Sequence, residues 1–228
     1  MRISLLEDDF DQSTLLTQWL EAAGHSVVHF ADADSFHRGT HRATFDLYIL
    51  DWLLPESSGF QVLKRLRARE PDGPPVLFVT VRDDESCIVE ALESGADDYM
   101  VKPIRRSEML ARIEALSRRR LKLDHTTLCA PPYAFDLKQH TATINTEPLS
   151  LTSKEFELAL FLFRRAGQIV SRSHLLESVW GAGHSAMHTR TVDTHVSRLR
   201  NKLRLKEAFG WKLSSIYQHG YRLEQADS

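Results

Sequence analysis

The chain reads as an α/β protein: a doubly wound, five-stranded parallel sheet followed by a smaller α+β domain. Three observations lead there. Short apolar runs alternate with helix-length segments through the first half, the pattern of buried parallel strands joined by crossover helices. Four of those runs stop abruptly at charged or hydroxyl residues. Beyond residue 123 the alternation gives way to short strand-like segments separated by turn residues. A length of 228 residues favours two domains, because a domain typically holds about 100–150 residues.

In order, the apolar runs are 3–6, 27–30, 47–50, 76–79 and 99–101. Between them lie helical patterns at 12–23, where Leu15, Leu16, Trp19 and Leu20 recur at helical spacing, and at 34–39, 60–69, 84–94 and 107–119. Gly24, Gly73 and Gly95 punctuate the helix ends. Residues 1–119 are assigned to the first domain. Residues 120–132, with Thr-Thr, Pro-Pro and little periodicity, read as a linker, and 133–228 as the second domain. There 133–136, 141–145 and 148–151 read as short antiparallel strands. Thr152 with Glu155 three residues on is a capping box. The helix it opens presents Phe156, Leu158, Ala159, Leu160, Leu162 and Phe163 and ends at Gly167. Ser171 caps a second helix, a third runs over 190–205, and 211–223 reads as a hairpin turning near 218–220.

Apolar residues make up 42% of the chain and charged residues 26%, ordinary for a globular protein. No apolar stretch reaches the roughly 18 residues of a membrane span, so no membrane partner is expected. The first strand begins almost at once, with no signal-peptide pattern, and a cytoplasmic protein is expected. Cys87 and Cys129 match no metal spacing and read as ordinary thiols of a reducing compartment. The net charge of −2 hides an asymmetry: residues 1–116 hold 12 Lys plus Arg against 21 Asp plus Glu, and residues 117–228 hold 17 against 10. An acidic half joined to a basic half suggests that only the second half meets a polyanion.

In a parallel sheet, ligands bind outside the carboxyl ends of the strands. Glu7, Asp8, Asp51, Thr80 and Lys102 all stand at those ends and therefore converge on one rim. Gathered carboxylates repel one another unless a cation neutralises them, so the rim asks for a divalent metal, and hard oxygen donors suit Mg2+. An Asp carboxylate can accept a phosphoryl group covalently. The Lys102 ammonium and the Thr80 hydroxyl supply donors for its oxygens. An acid at one strand end alone would be a solvated loop residue; five such residues at the right ends make a site.

The residues Leu-Leu-Glu-Asp-Asp at 5–9, Leu-Asp-Trp-Leu-Leu-Pro at 50–55 with Gly59, Val-Thr at 79–80 and Gly-Ala-Asp-Asp-Tyr-Met-Val-Lys-Pro at 95–103 resemble the receiver domain of two-component response regulators. The resemblance implies a flavodoxin-like strand order 2-1-3-4-5. It makes Asp51 the phosphoryl acceptor and has Glu7, Asp8 and Asp51 hold Mg2+ with the Leu53 carbonyl. Lys102 becomes the phosphoryl-binding cation, and Thr80 and Tyr99 a switch pair. It also implies a homodimer through Asp97, Asp98, Glu108, Arg112 and Arg119. The helix at 84–94 carries Ile88 and Val89 where a cation usually answers Glu108, so a more apolar contact is expected. Ser58 stands where Asp is usual, and Val81 occupies a position where Ala or another small residue is usual, with Arg82 following it; both would neighbour the phosphoryl group.

At about 100° per residue, Val192, Val196, Leu199 and Leu203 of the third helix fall in one narrow arc. The opposite side presents Thr194, Ser197, Arg198, Asn201 and Arg204, flanked by His195, Arg200 and Lys202. Arg reads guanine and Asn reads adenine bidentately, while flanking cations suit phosphates, so this composition fits a major groove. Asp193 suits the positive end of the helix dipole. Leu-Thr-Ser-Lys-Glu-Phe at 151–156, Val-Ser-Arg at 170–172, Val-Trp-Gly at 179–181, the run 190–203 and Gly-Tyr-Arg-Leu at 220–223 resemble the winged helix-turn-helix domain of OmpR/PhoB-type regulators. That resemblance implies a recognition helix at 190–204 beginning with Arg190, and a wing at 213–223 in which Arg222 reaches a phosphate. It also implies an RNA polymerase contact at 181–189. Tyr217 and Gln218 replace the usual Arg-Gly of the wing.

The expected protein is a transcription factor phosphorylated on Asp51 by a sensor histidine kinase, dimerising on activation and binding promoter DNA. It is a phospho-acceptor rather than an enzyme with a separate substrate. A metal-dependent phosphatase using Asp51 as nucleophile lacks a substrate-cap segment here. A DNA-binding protein with a vestigial receiver fits poorly with an intact rim.

Overall fold

The computed structural model describes residues 1–71, 73–122, 127–181, 190–205 and 210–226, with backbone alone for 118–122. The chain divides into two compact units at Leu121 and Lys122.

In the first unit the strands are β1 (Arg2–Leu6), β2 (Ser26–Phe30), β3 (Leu47–Leu50), β4 (Val76–Thr80) and β5 (Asp98–Val101). They form a parallel sheet of order β2-β1-β3-β4-β5. The helices are α1 (Phe10–Ala22), α2 (Ala33–Arg42), α3 (Gly59–Arg69), α4 (Glu85–Glu93) and α5 (Arg106–Lys122). Side chains alternate across a strand, so Ile3, Leu5, Leu47, Ile49, Leu77 and Val79 share one face. They pack with Leu16 and Leu20 of α1 and Met109, Ile113 and Leu116 of α5. The alternate positions build a ring-rich layer on the other face. Tyr48 meets Phe36 and Phe45, and Phe78 meets Trp52 and Tyr99. Burying one such ring fully stabilises the fold by about 1.5–3 kcal/mol.

Two helix starts bear on the rim. Asp9 caps α1, its Oδ1 accepting the Gln12 N–H at 2.9 Å, and Ser58 caps α3, its Oγ accepting the Gln61 N–H at 3.3 Å. Ser and Asp are both strong N-caps, which accounts for Ser where Asp is usual. Gly59 follows because nothing larger fits: a Cβ there would lie 1.9 Å from the Asp51 carbonyl oxygen.

The second unit opens with an antiparallel sheet of β6 (Thr127–Ala130), β7 (Tyr133–Asp136), β8 (Thr141–Ile144) and β9 (Glu147–Leu149). It continues through α6 (Ser153–Phe163), β10 (Ile169–Val170), α7 (Arg172–Trp180) and α8 (Arg190–Lys202) to the hairpin β11 (Trp211–Ile216) and β12 (Gly220–Gln225). The hairpin pairs with β10 in the order β10-β12-β11. Val192, Val196, Leu199 and Leu203 are all fully buried, together with Leu158 and Phe156 of α6 and Leu175 of α7.

Two boundaries differ from expectation. The segment 120–132 is not plain linker: α5 runs to Lys122 and 127–130 pairs as β6 with β7, since cross-strand partners supply order that local sequence does not display. The third helix stops at Lys202 rather than 205, and Arg204 lies beyond it with φ of +50°. Strand β10 went unread because two residues carry no periodicity.

Candidate functional site

Strand ends β1, β3 and β5 bring the rim together. Ligand oxygens of Glu7, Asp8 and Asp51 all lie within 4.8 Å of one another. Glu7 and Asp51 are buried, while Asp8 is exposed. Lys102, just past β5, donates from Nζ to Asp51 Oδ2 at 2.6 Å and to Glu7 Oε2 at 2.8 Å. The Leu53 N–H donates to Asp51 Oδ1 at 3.0 Å, so both acceptor oxygens are held in place. Burial pushes the Glu7 carboxyl up, with the Asp51 charge adding to it against the pull of Lys102. Burial opposes the charged Lys102, yet the bonds and charges of Asp51 and Glu7 outweigh it and raise its pKa. Three carboxylates against one ammonium leave negative charge uncompensated, and three hard oxygen donors this close fit Mg2+.

Thr80 is fully buried at the end of β4, and its Oγ1 accepts the Arg82 N–H at a long 3.5 Å. Tyr99 of β5 pairs in register with Phe78 of β4. It is 8% exposed, donates its hydroxyl to the Arg82 carbonyl at 2.9 Å, and burial pushes its pKa up to about 12. The tyrosine is thus turned inward.

On α8 the outward side chains are Arg190, Thr194, Ser197, Arg198 and Asn201, all exposed. Thr194 donates back to the Arg190 carbonyl at 3.0 Å. The other five expected contact residues have the following surroundings in their own domain. Lys202 donates to Glu155 Oε2 at 2.7 Å and to the Ser150 carbonyl at 3.0 Å, so its ammonium joins the capping box. Arg200 donates to the Leu213 carbonyl at 2.8 Å and to Ser215 Oγ at 2.9 Å, tying α8 to β11. Arg204 lies past the end of the helix and is exposed. His195 packs on Trp180, ring centroids 5.1 Å apart. On the wing, Arg222 pairs with Glu224 at 2.9 Å. Residues 182–189, where the polymerase contact was expected, lie outside the described residues.

One group of residues was missed by sequence reasoning. Asp193 Oδ1 accepts from Arg172 Nε of α7 at 2.9 Å and from the Tyr221 hydroxyl of β12. These bonds hold its carboxyl below the usual range against the opposing effect of burial. The helix-dipole argument found the residue but not its partners, which are 21 and 28 positions away in sequence.

Residues 3–114 match the family described as response regulator receiver domain, and residues 146–223 the family described as transcriptional regulatory protein, C terminal. The sensory transduction protein RegX3 of Mycolicibacterium smegmatis is 37% identical over 227 residues, covering 97% of this chain and 98% of that protein. The chain is an OmpR/PhoB-type two-component response regulator. The phosphate regulon transcriptional regulatory protein PhoB of Rhizobium meliloti is 38% identical over 205 residues, 89% of each chain. Among solved structures, the CheY-like receiver domain protein of Methanospirillum hungatei has a TM-score of 0.52 at 27% identity, covering 54% of this chain and 98% of its own.

Within this response regulator, the residues expected at a dimer interface are not equivalent. Asp97 Oδ2 accepts the Val76 N–H at 2.8 Å and Arg67 Nη2 at 2.7 Å. It therefore braces β4 and α3 inside its own domain. Arg112 bonds Asp98 at 3.0 Å and Glu108 at 2.9 Å. Beside these ion pairs α4 presents Val89, 45% exposed, and Leu92, 44% exposed, and β5 adds a half-exposed Val101. The side chain of Arg119 lies outside the described residues. Among the departures from the family pattern, Val81 and Tyr217 are exposed, and Gln218 takes φ of +60° at the tip of the wing.

Proposed function

We propose that Asp51 accepts a phosphoryl group from a sensor histidine kinase, and that this charge drives a cytoplasmic transcription factor toward homodimers on promoter DNA. The observation that carries the reading is the convergence of the Glu7, Asp8 and Asp51 carboxylates within 4.8 Å beneath the Lys102 ammonium. In the transfer, an oxygen of Asp51 forms a bond to phosphorus while the bond from phosphorus to the kinase histidine nitrogen breaks. Lys102, now on Asp51 Oδ2, passes to a phosphoryl oxygen, and the buried Thr80 hydroxyl supplies a second donor. Glu7, Asp8, Asp51 and the Leu53 carbonyl would hold Mg2+, which when bound neutralises the carboxylates and the phosphoryl oxygens. Lysine and threonine then draw the segment after β4 toward the acceptor, and the Tyr99 bond to the Arg82 carbonyl carries that shift to α4 and β5. The apolar Val89, Leu92 and Val101, with Arg112 and its acids, form the contact between copies. Helix α8 enters the major groove with Arg198 and Asn201 toward the bases, and residues 181–189 face RNA polymerase.

The test is intact mass after incubation with Mg2+ and acetyl phosphate. One added phosphoryl group is expected, absent in Asp51→Ala and lost when a chelator is present. Labelling that persists in Asp51→Ala overturns the assignment.

A further inference from the structure

Arg82 joins three parts of the receiver through three different groups. Its N–H points at Thr80 Oγ1, 3.5 Å away. Its carbonyl accepts the Tyr99 hydroxyl at 2.9 Å. Its guanidinium carbon lies 5.3 Å from the centroid of the Trp52 ring, within the distance at which a cation is attracted to an indole face. Trp52 is an unyielding wall. It is 5% exposed, stacks on Phe60 at 4.9 Å with the rings 7° from parallel, and is braced by Phe78 at 5.4 Å. It also follows Asp51 directly in the chain, and the next residue, Leu53, bonds the Asp51 carboxylate. The acceptor's neighbour therefore holds the side chain of the residue whose backbone holds the switch tyrosine.

We propose that Arg82 is a positioning residue of the switch: lying on Trp52, it fixes the segment between β4 and α4 so that its carbonyl faces Tyr99, favouring the inward tyrosine before any phosphoryl group arrives. The proposal rests on the reading of Asp51 and Tyr99 given above and adds its regulation. An inward Tyr99 sets part of the α4 and β5 face in advance, so the unphosphorylated chain self-associates more readily, and phosphorylation adds a smaller gain than it would without the clamp. A ligand or contact shifts a two-state equilibrium only by its differential interaction with the two states. A cation lying on an indole biases such an equilibrium by roughly threefold to thirtyfold.

The test uses the full chain, unphosphorylated, and follows nitration of Tyr99 by tetranitromethane, mapped by peptide mass, with the exposed Tyr217 as internal control. Arg82→Gln is expected to speed nitration of Tyr99 about threefold to thirtyfold and to leave Tyr217 unchanged. Arg82→Lys, which keeps a cation on the indole, is expected to stay near the wild-type rate. Trp52→Leu is expected to match Arg82→Gln, with no further gain when the two are combined. Should Trp52→Leu lose its native circular dichroism, the contrast between Arg82→Gln and Arg82→Lys decides alone. A wild-type nitration rate in Arg82→Gln, or equal acceleration in Arg82→Lys, overturns the clamp. Acetyl phosphate with Mg2+ is expected to add one phosphoryl group to Arg82→Gln as to the wild type. Loss of uptake in Arg82→Gln alone overturns the positioning role, whereas loss in the wild type overturns the acceptor reading and leaves the nitration comparison intact.

Discussion

Lys202 and Arg198 sit four positions apart on one helix, yet the structure gives them different work. Arg198 is exposed on the side of α8 opposite the buried valines and leucines, while Lys202 reaches back to the Glu155 carboxylate. A lost bidentate base contact costs about 1–3 kcal/mol of discrimination, and each lost phosphate contact flattens the salt dependence by about 0.9 in log–log slope. Arg198→Ala is therefore expected to relax sequence preference. Lys202→Ala is expected to leave the salt slope unchanged and to destabilise the second domain by about 1–2 kcal/mol, less than for a fully buried pair because the lysine is more than a third exposed. Binding of both variants to specific and scrambled duplexes across a salt series, with urea unfolding alongside, checks this. A flatter salt slope in Lys202→Ala would mean that the ammonium turns out to the phosphates on binding.

The start of α6 is where a local motif becomes a tertiary joint. Thr152 and Glu155 close a capping box in which Glu155 Oε2 accepts the Thr152 N–H at 2.8 Å. The same oxygen takes Lys202 from the end of α8. Burial works to raise the Glu155 pKa, but Lys202 and the Thr152 bonds outweigh it and hold the carboxyl below the usual range. A carboxylate with a depressed folded pKa contributes stability that is present above its unfolded value, about 4.3, and is lost as pH falls through the folded value. The wild type is thus expected to lose melting temperature more steeply than Glu155→Gln on acidification below about pH 4.3. Parallel curves of melting temperature against pH would exclude that contribution. At the other end of α8, Asp193 joins α7 to the hairpin through Arg172 and Tyr221, so the helix is pinned at both ends and presents one face.

Across the whole molecule, an acidic half and a basic half divide the labour between receiving a phosphoryl group and meeting DNA. In the proposed function, dimerisation of the first half would raise the effective concentration of the second DNA module once the first is bound. The apolar residues exposed on α4 and the ion pairs around Arg112 lie in the same proposed interface. Leu92→Asp, which sets a charge in the apolar part, is expected to abolish phosphorylation-dependent dimers in sedimentation velocity, and Arg112→Ala to weaken them severalfold. Both variants should still take up one phosphoryl group. Dimers of wild-type strength in Leu92→Asp would move the interface elsewhere.

The five strands and the meeting of Glu7, Asp8, Asp51 and Lys102 at one edge were legible in the residues themselves, because buried parallel strands are continuous apolar runs and their carboxyl ends must share one edge, whereas the order of the sheet was implied only by the resemblance to receiver domains. The buried arc of α8 was legible because 3.6-residue periodicity is a local property. The partners of long side chains were not. Lys202 and Arg200 lie on the flanks of a helical wheel, where either could face DNA, and the first-turn position of Asp193 names no partner. Only the tertiary fold decided that Glu155, the carbonyl of Leu213, and Arg172 with Tyr221 lie within reach. The same holds for Arg82 on Trp52, 30 residues apart in sequence and joined only when β3 and β4 lie side by side. Periodicity reports which face of an element is buried, whereas what a flexible cation meets depends on which elements the fold brings beside it.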